Sequence, residues 1–401
     1  MTAPRPRALV SGASIAGLST AYWLGRAGWD CTVLERFAGF RDGGQNIDIR
    51  GAARDVLDRM GLTDEVRRQS TTEEGTSIID DNGRVVAAFP VEEADGPTAE
   101  LEILRGDLAR VILDHLPPHV DVRYGDSIDR VTDRDQQVEV RLSSGPAERF
   151  DLLVIAEGVR SRTRDAVFGA EVGRRELGLN MAYGTIARTP DDDRWWRWYT
   201  TTGGRQVTLR PDNKGTTRAT LAFTDRDRGR NLAELTIDQA REALRSTFAG
   251  AGWQTRRVVD GFATSEDVYM DYLTQITMPT WTRGRVCVTG DAAWCVTPLG
   301  GGGTSLAMVG GYVLAAYLSK SGPEDALKRY EEWMRPLVTA AQQLPPGTPN
   351  LFYPNSRAGV RAQRIGAKIG SMGPFRKLTG RLGHVARTDQ ALPDITLAPR
   401  S

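Results

Sequence analysis

Histidine and cysteine are scarce, three of each in 401 residues. Cys31, Cys287 and Cys295 contain no C-x-x-C pair, which excludes a disulfide framework and points to a reducing, cytoplasmic setting. His115, His119 and His384 are too scattered for a usual metal site, so no metal is expected. Lysine is rarer than its class suggests, with five among 52 basic residues. That bias fits GC-rich coding better than any function. Basic and acidic residues nearly cancel, 52 against 51, and no block of like charge stands out. Nucleic-acid binding is therefore not expected. No apolar run is long enough to span a bilayer, and the N-terminus has no signal-peptide pattern. Also missing are a G-x-S-x-G elbow, a paired-carboxylate motif and any internal repeat. A chain this long without such groups leaves its chemistry to a cofactor, and its length suggests two domains.

What is present begins at GASIAG, Gly12 to Gly17. Ala8-Leu9-Val10 reads as a buried strand before it, and a helical pattern starts at Ile15. Gly28 ends that helix, and Cys31 to Leu34 form a second strand that finishes in Glu35. This βαβ unit carries a dinucleotide fingerprint with Ser14 at the middle glycine position. Gly12 permits the tight turn, and Ser14 is small enough to let a pyrophosphate approach. Ile15 and Ala16 open the helix whose N–H groups face the phosphates, and Gly17 lets helix and strand pack closely. Glu35 can accept bonds from a ribose diol and disfavours the 2′-phosphate of NADP. FAD and NAD remain, against the plainer reading of an ordinary strand-to-helix turn.

Three further stretches extend the pattern. RVCVTGDAAWCVTPLGGGGTSLAMVGGYVLAAYL, from Arg285, is a strand, an Asp291 at its end, Pro298, four glycines from Gly300 to Gly303 and an apolar helix. An Asp there can bind ribityl hydroxyls, and a helix start can stabilise negative charge on a flavin edge. FDLLVIAEGVRSRTRDAVFG, from Phe150, is a strand turned by Glu157-Gly158. LEILRGDLARVILDHL places Arg105 before an amphipathic helix, within reach of a phosphate or the ribityl chain.

In order and spacing these four stretches resemble the class A flavoprotein monooxygenases, the fold group of para-hydroxybenzoate hydroxylase. Among them, shorter actinobacterial members and tetracycline-inactivating monooxygenases look most similar. The resemblance runs from about residue 6 to about residue 340. It implies that Ser14, Glu35 and Arg36 hold the AMP half of FAD and that Arg105 contacts the cofactor between its halves. Asp291 would bind the ribityl and pyrophosphate region, with Pro298 and Gly300 to Gly303, including Gly301 and Gly302, bordering the flavin ring. GGQNIDIRG, Gly43 to Gly51, resembles the strand beside the isoalloxazine, with Asn46 and Asp48 its cofactor residues. Three positions depart from the family pattern: Glu157 replaces an Asp, Ser305 an Asn, and Gly310 an acid.

The implied fold class is α/β, a Rossmann-like FAD-binding domain of the GR2 type with an antiparallel β-sheet substrate domain and a C-terminal helix. We place the FAD domain at 1–75, 98–172 and 276–343, the substrate domain at 76–97 and 173–275, and a C-terminal helix and tail at 344–401. Strand patterns at Met181–Ala187, Gln206–Arg210, Thr216–Phe223 and Val268–Thr277 surround one amphipathic helix, Ile237–Phe248. On that sheet Tyr183, Arg210 and Thr220 are candidates to face the flavin, with Pro298, Phe352 and Tyr353 closing the pocket. Arg210 would suit a phenolate, enolate or carboxylate. Trp195 to Tyr199, WWRWY, reads as hydrophobic packing before it reads as a stacking wall. A helix at Leu351–Gly370 would carry a solvated basic face of Arg357, Arg361, Arg364 and Lys368.

The implied activity is monooxygenation of an aromatic or polyketide-type molecule, as a monomer or homodimer. NADPH or NADH is the transient reductant, O2 the co-substrate and a flavin C4a-hydroperoxide the oxidant. Antibiotic inactivation or Baeyer–Villiger insertion is the alternative. A non-catalytic binding protein on this fold, as in the Rab GDP-dissociation inhibitors, is the rival of another class. A flavin halogenase does not fit, since Trp196-Arg197-Trp198 is not followed by the isoleucine and proline of W-x-W-x-I-P.

Overall fold

Runs of consecutive apolar residues build the first sheet. Ala8–Val10, Leu152–Ile155 and Val286–Val288 are almost fully buried, as expected of parallel strands covered on both faces. In the computed structural model, which describes residues 4–91, 101–225, 229–345, 347–372 and 390–398, six strands line up here. Their order is Thr282–Arg283, Val286–Val288, Leu152–Ile155, Arg7–Ser11, Asp30–Glu35 and Val120–Tyr124. All neighbours run parallel except the first pair. The carboxyl ends of the central strands, Ser11, Ile155 and Glu35, therefore share one edge. Ligands gather at such an edge in open α/β sheets. The helices Ile15–Arg26 and Gly303–Leu318 leave this edge and pack together, with Ser19 Oγ donating to Met308 O at 3.3 Å. Gly303–Leu318 is buried nearly all round, which its apolar composition requires.

Alternating patterns build the second sheet. Its order is Tyr269–Thr277, Gly173–Ala187, Thr216–Thr224, Arg205–Pro211, Trp195–Thr201, Gly75–Ile79 and Val85–Pro90. Neighbours are antiparallel, save the parallel pair Trp195–Thr201 and Gly75–Ile79. Ala182, Ile186, Val207, Leu209 and Leu221 line one face, packed with residues of the helices Ile237–Thr247 and Thr255–Thr264. Met181, Tyr183 and Ala222 line the other, where Leu299 of the glycine loop packs against them. That contact sets the second sheet against the ligand-facing edge of the first.

Several elements differ from expectation. The helix Thr255–Thr264 and a three-stranded antiparallel sheet, Ile128–Arg134, Gln137–Leu142 and Ala147–Phe150, were not anticipated. The expected helix over 351–370 is two pieces, Thr348–Phe352 and Arg357–Gly370. Pro354 stops the first, and Ser356 caps the second by accepting from Gly359 N–H at 3.0 Å. Arg364 on the second piece is not solvated: it pairs with Asp81 at 3.0 Å and donates to Thr200 O. The tail does not trail away either. Leu392 and Ile395 pack on the core of the first sheet, and Ala398 N–H donates to Arg26 O at 2.9 Å. The anticipated boundary at 97/98 lies outside the described residues. No helix among the described residues is long and apolar enough to cross a membrane.

Candidate active site

The glycine turn is closed by backbone contact. A Cβ on Gly17 would stand 1.8 Å from Gly12 O, so only glycine fits. Gly12 N–H donates to Leu34 O at 2.7 Å, and the Glu35 carboxylate accepts from Ala13 N–H at 3.0 Å and Phe37 N–H at 3.1 Å. Glu35 thus fixes the turn and keeps acceptor capacity for another donor. Ser14 starts the helix through its backbone, and its hydroxyl makes no side-chain cap bond. Ile15 is buried and Ala16 half-buried. A Cβ on Gly290 would meet Ala16 Cβ at 2.7 Å, so the first fingerprint and the Asp291 loop touch directly.

Asp291 has exposed surface, yet the protein packed around it desolvates its carboxyl and raises its pKa. The nearby Arg105 works in the opposite direction. Arg105 also lies near enough to Tyr269 and Arg41 to act electrostatically on both. Arg36 and Arg41 lie against the Phe37 ring, at 4.8 and 3.7 Å. Burial lowers the Arg41 pKa first, Glu35 opposes that, and Arg105 and Arg36 add to it. Crowded cations of this kind favour an anionic ligand. Sequence reasoning missed Arg41, because one arginine in a polar loop carries no local signal.

The glycine loop meets the strand Asn46–Asp48 through Ser305. Its buried hydroxyl accepts from Arg50 N–H at 3.0 Å and donates to Asp48 O at 3.3 Å. Pro298 is exposed in the loop, and Gly301, Gly302 and Gly303 are half-buried. Asn46 is buried and braces two elements, donating to Glu102 Oε1 at 2.6 Å and Pro211 O at 2.9 Å. These groups fit a dinucleotide: a turn with no room for side chains, an uncapped serine, clustered arginines, and a carboxyl facing open space.

On the second sheet Tyr183 lies opposite Thr220, and Thr220 opposite Thr208. Tyr183 stacks on Tyr269 with centroids 4.9 Å apart, and burial pushes its phenol pKa well up. Trp196 and Trp198 meet edge to face at 4.8 Å, with Arg210 over Trp196 at 3.9 Å. Two expectations need correction. Of the two residues expected to close the pocket, Tyr353 is buried against the Met181 and Tyr183 cluster, whereas Phe352 is 38% exposed. The short helix ends at Phe352, and the chain turns Tyr353 inward. Arg210 is no free cation for an anionic substrate. Three carboxylates already hold it: Glu73 at 2.7 Å, Glu102 at 2.9 Å and Asp48 at 3.4 Å.

Glu157, the departure from the family pattern, is also engaged. It accepts from the hydroxyls of Ser11, Ser161 and Thr163 and from Thr163 N–H. The longer side chain bridges the first strand to the helix Arg162–Phe168. Arg164, fully buried, reaches from that helix to Ala292 O at 3.0 Å and Val159 O at 2.9 Å. A separate cavity of about 730 Å³ opens beside Gly203 and Arg205 and is lined by none of the candidate site residues.

A family model described as an FAD binding domain matches residues 6–344. The chain belongs to the class A flavin monooxygenases. Similar proteins include the flavin-dependent monooxygenase eupH of a Phoma species, 33% identical over 389 residues, covering 88% of this chain and 89% of that one. Among solved structures, tetracycline destructase Tet(55) is 27% identical with a TM-score of 0.80, covering 98% of this chain and 100% of that one. HpxO of Klebsiella pneumoniae, complexed with FAD and uric acid, shares the fold at 22% identity and a TM-score of 0.76, over 94% and 96%.

Proposed function

We propose that this family member is an NAD(P)H-consuming monooxygenase that hydroxylates an aromatic or polyketide-type small molecule. One observation carries the reading. The glycine loop packs on the sheet face that presents Tyr183 and Thr220, and Ser305 ties the same loop to the Asp48 strand. A flavin ring bordered by that loop would lie near aromatic and hydroxyl side chains of that face.

In this reading the N–H groups around Gly12, Ser14, Ile15 and Ala16 take the pyrophosphate, helped by the N-terminus of the helix Ile15–Arg26. Glu35 takes the ribose, Arg36, Arg41 and Arg105 the anionic span, and Asp291 the ribityl hydroxyls. Pro298 and Gly301 to Gly303 border the ring, and the N-terminal end of Gly303–Leu318 favours negative charge there. Bound FAD supplies the redox chemistry, hydride acceptance and O2 activation. The chain positions the substrate on Thr208, Thr220 and Tyr183. It excludes water with Met181, Leu273, Leu299 and Tyr353, which keeps the oxidant from being lost to solvent. Glu157, with its carboxylate occupied, shapes the turn and does not receive the reductant.

A second reading, antibiotic inactivation, draws support from the likeness to Tet(55) over nearly the whole chain. The test is anaerobic bleaching of the flavin by NADPH and by NADH, with a panel of phenols, naphthols and tetracyclines. Faster bleaching with one compound, followed by a product heavier by one oxygen atom on readmitting O2, is expected. Product structure then separates hydroxylation from ring insertion. A protein that purifies colourless and cannot take up FAD refutes both readings.

A further inference from the structure

The cluster around Arg210 holds more carboxyl groups than arginines. Glu73, from the loop before Gly75–Ile79, Glu102, from the strand Glu102–Leu104, and Asp48, from the strand Asn46–Asp48, converge on one guanidinium. Arg50 adds one cation, on Asp48 at 3.2 Å. Three carboxyl groups face two arginines, so the charges balance only while one carboxyl is protonated. Glu73 and Glu102 side chains are 1% and 2% exposed, so water does little to screen them. One oxygen of Glu73, Oε1, is buried without a hydrogen-bond partner. The cluster borders the substrate floor, because Arg210 is two residues from Thr208 on the same face of its strand.

This arrangement bears on substrate charge, and the argument rests on the proposed placement of substrate on that floor. We propose that the enzyme selects substrates that are uncharged or cationic where they meet the Arg210 end of the sheet, and rejects carboxylates there. An anion approaching Arg210 finds that cation already balanced and meets Glu102 and Asp48 beside it, and like-charge contact in a desolvated site strongly disfavours binding. An amide adds no charge, and a cation supplies the missing counter-charge once Glu73 ionises. Glu73 reports on the balance. Burial raises its carboxyl to about 8, Arg210 opposes that, and Glu102 and Asp48 push it further up. Near pH 7 Glu73 therefore holds a proton, and it ionises as pH rises through about 8. A bound cation favours the ionised form, so cation affinity rises over that span.

The test uses oxidised holoenzyme, whose flavin absorbance responds to ligands without turnover. Three congeners are titrated: 3-hydroxy-2-naphthoic acid, its primary amide, and the analogue carrying a trimethylammoniomethyl group in place of the carboxylate. At pH 7 the acid is expected to bind at least about tenfold more weakly than the better of the other two. From pH 7 to 9 the ammonium compound should gain affinity in the wild type, and Glu73→Gln should abolish that gain. An acid that binds as well as either congener, or a pH gain that survives Glu73→Gln, overturns the proposal. Because the readout needs no reductant, this failure is distinct from a failure of nicotinamide to reduce the flavin.

Discussion

Replacing Arg164 by methionine tests whether the loop after Asp291 is held in place from a distance. The guanidinium is 0% exposed and donates to Ala292 O at 3.0 Å and Val159 O at 2.9 Å. Methionine fills similar volume but donates nothing. Asp165, the charged partner, keeps Arg174 at 2.6 Å and is partly exposed, so it loses little. The Ala292 carbonyl loses its donor inside protein, and the Val159 carbonyl loses its donor at a half-buried position. A fully buried group costs about 1–3 kcal/mol and a half-buried one less, so the variant should lose roughly 1–4 kcal/mol. Urea titration of the apoprotein measures this as a lower midpoint at unchanged slope. The carbonyl of Ala292 adjoins Asp291, so part of the loss should appear as weaker FAD binding. Fluorescence titration of apoprotein with FAD should show a Kd raised about tenfold or more, equivalent to ~1.4 kcal/mol. Arg164→Lys, with one short ammonium, should rescue only part. A variant within ~0.5 kcal/mol of wild type in urea, with unchanged FAD affinity, would refute the reasoning.

Gly17→Ala forces a methyl to 1.8 Å from Gly12 O; the purified protein should lack the yellow colour of bound flavin, with near-native circular dichroism. Ser305→Ala removes the bridge between Asp48 and Arg50 and should weaken FAD binding several-fold, about 0.5–1.5 kcal/mol, by the same fluorescence titration. Glu73→Gln should flatten the pH dependence of stability. The folded carboxyl titrates near 8, above its unfolded value, so its contribution is full at low pH and declines until pH passes 8. The variant should gain on wild type from pH 5 to 8 in urea midpoints, by at most a few kcal/mol, and an unchanged difference would contradict the assignment.

The glycine turn, its flanking strands and the apolar helix after Gly303 were legible because each is written in a short window of the chain. Periodicity and glycine punctuation carry such elements without help from distant residues. The Ser305 bridge was not legible, since its partners lie 255 and 257 residues away. The same holds for Arg210: its carboxylates come from three other segments, so a cation on a strand read as a lone cation. Which of Phe352 and Tyr353 turns inward was not legible, because it depends on where the helix ends before Pro354. The sheet at 128–150 escaped notice because its alternation is mostly charged, and its outer face needs no apolar signature.

The second sheet has a consequence for how the chain is made. Its strand Gly75–Ile79 pairs with Trp195–Thr201, and the sheet's opposite edge, Tyr269–Thr277, is synthesised later still. Until residues near 201 have left the ribosome, the early hairpin offers an unpaired strand edge, a template for wrong pairing. Productive expression should therefore depend on translation pace and chaperone supply across this span. Fragments ending before about residue 200 should collect as insoluble aggregate.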